Sequence, residues 1–61
     1  MQPDLRRALA TLPGAQREAV LMRFGDGLSL KEIAGALAIP EGTVKSRLHH
    51  ALLSLRRFLA P

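Results

Sequence analysis

The sequence predicts a small all-α domain of four helices, the last two of which form a helix-turn-helix. Ala and Leu are abundant and β-branched residues are few, a composition that favours helices. Proline and glycine divide the 61 residues into four segments, and apolar residues recur at helical spacing within the segments. A tight turn joins the third and fourth segments, which places the helix-turn-helix at about residues 29–59.

The composition limits the chain to one core. Its 61 residues, 48% of them hydrophobic, suit a single domain over residues 1–61. Phe24 and Phe58 are the only Phe, Tyr or Trp residues, so aliphatic side chains must fill the core. The absence of cysteine excludes disulfides and thiolate metal sites. Because the sequence has no signal peptide and no long apolar run, we expect a cytoplasmic protein without membrane contact.

The first helix is predicted at residues 4–12. Pro3 and Asp4 suit a helix start. The apolar residues of this segment fall on one face at helical spacing, which indicates an amphipathic helix. They are Leu5, Ala8, Leu9 and Leu12.

The second helix is predicted to follow Pro13 and to extend to about Phe24. Ala19, Val20 and Phe24 are expected to face the core. The segment Gly25-Asp26-Gly27 ends this helix, because glycine adopts left-handed backbone readily.

A capping box marks the start of the third helix. Ser29 is suited to cap the free amides, and Glu32, three residues later, to bind the amide of Ser29. Residues 38–40 form the turn that follows, with Ile39 as an apolar plug beneath it. The apolar stripe of the helix consists of Leu30, Ile33, Ala34 and Leu37.

The fourth helix, predicted at residues 41–59, has one apolar and one polar face. At about 100° per residue, its apolar residues fall within about 80° of Val44. These residues, which we expect to be buried, are Leu48, Ala51, Leu52, Leu55, Phe58 and Leu59. The outward side of the N-terminal half carries groups of a size that reads base edges in a DNA groove. We therefore predict DNA contacts from Thr43, Lys45, Ser46, Arg47, His49 and His50.

The charge distribution also favours a polyanionic partner. The net charge is +4, and from Lys45 to the C-terminus there are four basic residues, two histidines and no acid. Basic side chains that neutralise phosphates release counterions, although a solvated helix face would carry the same charges. The position of Lys45 and Arg47 after a capped helix and a tight turn favours contact. Additional phosphate contacts are expected from Ser29, Lys31 and Arg56.

No residue pattern predicts catalysis or a cofactor. Glu32 is accounted for by the capping box, and Glu41 suits a helix N-terminus, so no acid–base pair can be assembled in the second half. His49 and His50 point about 100° apart on one helix and cannot chelate one ion together. We therefore expect no enzyme, no cofactor and no metal site.

One run of residues and several shorter segments share a known family pattern. The run is Gly-Thr-Val-Lys-Ser-Arg-Leu-His at residues 42–49, and the other segments are residues 12–13, 17–20, 27–29, 32–34, 39–41 and 51–57. Together they closely resemble region 4 of bacterial sigma factors of the sigma-70 family, with the extracytoplasmic-function group as the nearest match. The resemblance covers nearly all 61 residues, and the run at residues 42–49 is quite specific to that group.

The resemblance implies a four-helix domain of the sigma region 4 type, similar to a winged helix without the wing. It implies that the domain reads the −35 element of promoters. It also implies docking on the flap of the RNA polymerase β subunit, with an anti-sigma factor as a further partner. The family positions that match Lys45, Ser46, His49 and His50 face DNA, and the helical wheel places the same four on the outward side. We expect the isolated domain to be a monomer, because the motif is complete within one chain.

Two features depart from the family pattern. Ala38 stands in the turn where the family often has glycine, and left-handed backbone there would cost on the order of 1 kcal/mol. No segment resembling region 2, which reads the −10 element and melts DNA, precedes the match. We therefore expect these residues to be an excised domain that could not direct initiation alone.

Two other interpretations remain open from the sequence. The DNA-binding domain of LuxR-type response regulators shares a Gly-Leu-Ser, Glu-Ile-Ala and Thr-Val-Lys pattern, but usually differs after Val-Lys and dimerises through its last helix. A protein-interaction module, bound by an anti-sigma factor or polymerase and touching DNA weakly, is an alternative of a different class. Titration with promoter DNA at low and moderate salt separates these classes.

Overall fold

Four α-helices make up most of the computed structural model, which describes the backbone of residues 3–59 and the side chains of residues 5–58. A π-helical turn continues the second helix directly. Within the described residues there is no strand, in agreement with the predicted all-α class. The elements are α1 (Pro3–Thr11), α2 (Gly14–Val20), the π-turn (Leu21–Gly25), α3 (Leu30–Leu37) and α4 (Glu41–Leu59).

The π-turn is the main departure from the predicted helix boundaries. The amide of Asp26 donates to the carbonyl of Leu21 over 3.0 Å, a bond that spans five residues instead of four. Gly27 then adopts left-handed backbone with φ 73°, as its predicted role in ending the helix requires. The guanidinium of Arg23 donates to the carbonyl of Leu28 over 2.9 Å. These bonds hold the loop against the end of the helix and lead the chain into the cap of α3.

The predicted capping box of α3 is confirmed. The Ser29 hydroxyl accepts from the Glu32 amide over 3.0 Å, and a Glu32 carboxylate oxygen accepts from the Ser29 amide over 2.8 Å. The Ser29 amide, and after it the Ser29 side chain, holds the pKa of the Glu32 carboxyl below its ordinary value, because hydrogen-bond donors beside a carboxylate stabilise its charged form. Two free amides at the start of α3 are thereby satisfied.

The turn after α3 is left-handed at Ala38, so the strain considered for this position from the sequence is present. This residue has φ 56° and ψ 46°, and its amide donates to the carbonyl of Ala34. Ile39 is half-buried and packs against the core, in line with its predicted role beneath the turn. An alanine therefore occupies a backbone conformation that glycine adopts with less strain.

α4 is the centre of the packing, since it contacts each of the other three α-helices. Ile33 of α3 and Val44 of α4 are the largest fully buried side chains of the core. The small Ala34 is also buried, as expected from its place in the apolar stripe of α3. The core cluster consists of Ala8, Leu12, Ala19, Val20, Ile33, Ala34, Val44, Leu48, Ala51 and Leu55.

Three residues predicted to be buried are exposed, and those predictions were wrong. Phe24 is 63% exposed, Leu52 48% and Phe58 44%. Phe24 and Leu52 line an open groove that no described residue fills, and Phe58 lies beyond Leu55, the last buried residue among the described side chains of α4. Leu5, on the predicted apolar face of α1, is also exposed along this groove. The predicted burial of Leu59 falls outside the described side chains.

Candidate nucleic-acid interface

The N-terminal half of α4 is fixed at its start and along its inner side. The carbonyl of Pro40 accepts from the amides of Thr43 and Val44 over 3.0 and 3.2 Å, which begins the helix directly after the turn. Val44 and, one turn later, Leu48 are buried in the core. With these two side chains facing inward, the opposite side of the helix faces solvent.

The structure places four of the predicted DNA contacts together on that outward side. Lys45, Ser46, His49 and His50 are all exposed, and we refer to them as the polar face. Thr43 and Arg47, also predicted as DNA contacts, are half-buried along one edge of it. The three additional phosphate contacts predicted from the sequence are exposed residues outside the polar face: Ser29, Lys31 and Arg56.

Two geometric relations organise the polar face. The Ser46 hydroxyl oxygen lies 3.5 Å from Nδ1 of His50, one helical turn later. The rings of His49 and His50 meet edge to face, with centroids 5.7 Å apart and an interplanar angle of 61°. Glu41, in the first turn, is the only acid of α4, and the hydroxyl, imidazole and ammonium groups of the polar face all follow it along the helix. This surface offers hydrogen-bond donors and acceptors and favours an anionic ligand.

Ser29 has a structural role that its predicted phosphate contact must accommodate. Its hydroxyl oxygen already accepts the Glu32 amide in the capping box. The hydroxyl proton is the part of the side chain that a phosphate could bind. The sequence analysis identified both roles for this residue, and the structure accounts for the cap.

A second surface, which the sequence analysis missed, is an apolar groove of about 330 Å³ between α1, the π-turn and α4. The composition contained a signal for this groove. A chain of 61 residues with this many large apolar residues cannot bury all of them, because α1 and α2 are too short to cover the apolar side of α4. An exposed apolar cluster of this kind is typical of surfaces that bind a partner or a ligand. The groove is lined by Leu5, Leu9, Val20, Leu21, Phe24, Gly25, Leu52 and Leu55.

Neither a metal nor a membrane is indicated by the described residues. Across the described side chains, no cluster of three or more His, Cys, Asp and Glu could hold a metal ion. No described helix combines the length and the apolar character that crossing a membrane requires.

Comparison with known proteins gives a consistent family. The family model described as "Sigma-70, region 4" matches residues 3–55. The chain is 44% identical over 57 residues to the ECF RNA polymerase sigma factor SigE of Mycolicibacterium smegmatis, covering 93% of this chain and 22% of that protein. It is 44% identical over 55 residues to the RNA polymerase sigma-E factor of Streptomyces antibioticus, covering 90% and 31%. It is 38% identical over 55 residues to the ECF RNA polymerase sigma factor SigW of Bacillus subtilis, covering 90% and 29%.

These matches cover most of this chain but only a part of each relative. The chain spans about a fifth to a third of the length of these three relatives. The family model, by contrast, matches the chain from α1 almost to the end of α4, including the helix-turn-helix and the whole polar face. The resemblance found in the sequence is thus confirmed, and the chain belongs to the sigma-70 region 4 family.

Proposed function

We propose that this chain recognises the −35 element of promoters as part of an RNA polymerase sigma factor, acting in the cytoplasm by binding and not by catalysis. The observation that carries the proposal is the polar face, exposed on a helix whose other side is buried in the core. In helix-turn-helix proteins the second helix enters the major groove and its N-terminal residues contact base edges. The family match supports this function and does not favour a response regulator.

Each predicted contact has a role that suits its position. Lys45 and Arg47 bind phosphates or guanine edges through their cationic groups. Ser46, His49 and His50 reach base edges, because short or planar side chains allow the helix to approach the floor of the groove. Ser29, Lys31, Arg56 and Thr43 add contacts at the borders of this surface.

We expect binding by the isolated chain to be weak and strongly salt-dependent. Few of the nine basic residues lie on or beside the polar face, and a module of this size buries limited surface on DNA. Most of its affinity would therefore come from phosphate neutralisation, which salt weakens.

The test is a titration of labelled duplex DNA with the chain at several salt concentrations. Lys45→Ala should lower affinity and, where Lys45 contacts only phosphate, reduce the slope of log K against log salt by about one. Arg7→Ala removes the same charge from exposed α1 and is the matched control. Equal effects of the two substitutions would show that only net charge matters, and would contradict the placement of α4 in the groove.

We further propose that the apolar groove is the surface on which RNA polymerase docks, with an anti-sigma factor as a competitor for it. Phe24, Leu21 and Leu52 are all about half exposed or more along this groove. Leu52 lies well away from Ser46 and His50 around α4, so DNA and a protein can be bound together. Burying such side chains against a partner recovers roughly 25 cal/mol per Å² of apolar surface.

Leu52→Lys tests this docking surface. The substitution places a charge in the groove and should weaken binding of the chain to core RNA polymerase by about tenfold or more. Leu53→Lys makes the same change at the next residue, which is exposed but does not line the groove. If both variants bind the polymerase core as well as the parent chain does, the groove is not the docking surface.

The monomeric state is also part of this proposal. The helix-turn-helix and the core that supports it are both formed within one chain. Sedimentation of the isolated chain should give a monomer at micromolar concentration. A tight dimer would instead support the behaviour expected of a LuxR-type domain.

A further inference from the structure

We propose that Ser46 is a positioning residue that makes His50 a hydrogen-bond donor toward DNA, and that His50 thereby reads N7 of a purine. This inference rests on the proposed function, because it assigns a base preference to the same polar face. It starts from the 3.5 Å separation between the Ser46 hydroxyl oxygen and Nδ1 of His50. Both residues are exposed, so this contact is a property of the surface and not of the core.

The direction of this hydrogen bond follows from the acceptor strengths of the two groups. A neutral imidazole carries one proton, on either Nδ1 or Nε2, and its other nitrogen is an acceptor. An unprotonated ring nitrogen is a far stronger base than a hydroxyl oxygen. The favoured arrangement therefore has the Ser46 hydroxyl donating to Nδ1 of His50, which leaves the ring proton on Nε2.

That proton position determines what the two side chains offer to a groove. Nε2–H of His50 becomes a donor on the ring edge away from Ser46, while the Ser46 oxygen keeps its lone pairs as acceptors. In the major groove, N7 of adenine and guanine, O6 of guanine and O4 of thymine accept hydrogen bonds, whereas N4 of cytosine and N6 of adenine donate them. His50 in this tautomer is therefore complementary to one of these acceptors, of which N7 is the one that both purines present, and not to an exocyclic amine.

The alternative proton position would give the opposite preference. With the proton on Nδ1, that nitrogen would donate to Ser46, and the bare Nε2 of His50 would accept from an amine. The two cases differ in a single proton on one side chain. Ser46 thus acts on specificity through His50, in addition to any contact of its own.

The first experiment measures the tautomer in the free chain by nitrogen NMR of the histidine rings, at about pH 8, where histidine side chains are normally neutral. We expect His50 to be protonated on Nε2 in the parent chain, with a smaller Nε2–H fraction in Ser46→Ala. Ser46→Thr, which retains a hydroxyl, should restore the parent signal. Ser54→Ala changes another exposed serine of α4 and should leave His50 unchanged. A parent chain protonated on Nδ1, or a tautomer insensitive to Ser46→Ala, overturns the positioning role.

The second experiment tests the base preference. Duplexes selected by the parent chain from a random library are resynthesised with each purine in turn replaced by its 7-deaza analogue, which lacks the N7 acceptor. We expect one position to lose about tenfold in affinity, with the loss absent in His50→Ala and reduced in Ser46→Ala.

The outcomes separate this inference from the proposed function. If the chain selects no sequence, the proposed function fails and the base preference fails with it. If it selects a sequence but no purine shows an N7 effect that depends on His50, the proposed function stands and this inference is overturned.

Discussion

The two halves of α4 have the same apolar periodicity but differ in how much of their apolar surface the other helices cover. In residues 41–50 the apolar positions Val44 and Leu48 are buried, and the outward side is polar. In residues 51–59 Ala51 and Leu55 are buried, but Leu52, Leu53 and Phe58 remain substantially exposed. α3 packs against α4 just after the turn that joins them, whereas beyond Leu55 no described apolar side chain is buried.

This difference teaches that helical periodicity predicts the direction of a side chain but not whether anything covers it. Leu48 and Leu52 are one turn apart on the same helix, and their exposed fractions are 8% and 48%. In residues 41–50 the buried apolar side holds the polar face in place, whereas residues 51–59 leave apolar surface exposed for another protein. One helix can therefore carry two binding surfaces with different chemistry.

The largest expected effect is on stability and comes from replacing one leucine by alanine in each half of α4. Leu48→Ala should cost about 2–4 kcal/mol of unfolding free energy, because it leaves a cavity in the core. That is a large share of the roughly 3–9 kcal/mol expected for a domain of 61 residues. Leu52→Ala should cost about 0.5 kcal/mol, since Leu52 is half exposed already. Urea denaturation measures both, and equal losses would show that Leu52 is covered in solution.

The next effect separates the two surfaces by function. Ser46→Leu should leave the fold intact and reduce discrimination between a cognate −35 element and scrambled DNA by roughly 1–3 kcal/mol per lost base contact. Non-specific binding should persist, because Lys45 and Arg47 are unchanged. Leu52→Lys should have the reverse profile, with normal DNA discrimination and weak polymerase binding. Competition binding measures discrimination, and unfolding of Ser46→Leu would mean that the helix phase is wrong.

The features that were correctly predicted from the sequence follow from local chemistry. The capping box at Ser29 and Glu32 depends on two residue types at fixed spacing, and the start of α4 on Pro40 and the turn before it. The outward direction of the polar face follows from counting residues from Val44.

The features that were missed depend on the rest of the molecule. Phe24 and Leu52 point toward the groove between α1 and α4, so their direction was predicted correctly and their burial was not. Whether that groove is filled depends on how far α1 reaches, a tertiary property that a single-helix pattern does not contain. The π-turn at Leu21–Gly25 likewise depends on how the loop to Leu28 closes.

A smaller effect concerns the turn that sets α4 against α3. Ala38→Gly should stabilise the fold by about 0.5–1 kcal/mol. Glycine adopts the left-handed backbone of this position without the strain that alanine has there, but it loses more conformational entropy on folding, which offsets part of the stabilisation. Ala36→Gly, at an exposed position inside α3, is the matched control and should destabilise by about 1 kcal/mol. Thermal unfolding of both variants tests this, and a loss of stability in Ala38→Gly would contradict it.

The smallest effect is a pH dependence of the unfolding free energy. It originates in the capping box of α3, the helix that packs against α4 just after the turn. The folded state lowers the pKa of Glu32, chiefly through the Ser29 amide, so the charged carboxylate stabilises the fold. This contribution is fully present above the ordinary glutamate pKa of about 4.3 and is lost as pH falls through the lowered value. Glu32→Gln keeps the shape and removes the charge. The parent chain should therefore be more stable than Glu32→Gln near neutral pH, and the difference should shrink below about pH 4.

Glu18→Gln provides the control for this last prediction, because it removes the same charge from an exposed position of α2, outside the capping box. Urea denaturation across the pH range should show the narrowing difference for Glu32→Gln and little difference for Glu18→Gln. A pH-independent difference for Glu32→Gln would mean that the amide of Ser29 binds a neutral oxygen as well as a charged one. In that case the capping box would stabilise α3 through its shape alone, and lowering the pH would not weaken its contribution to the unfolding free energy.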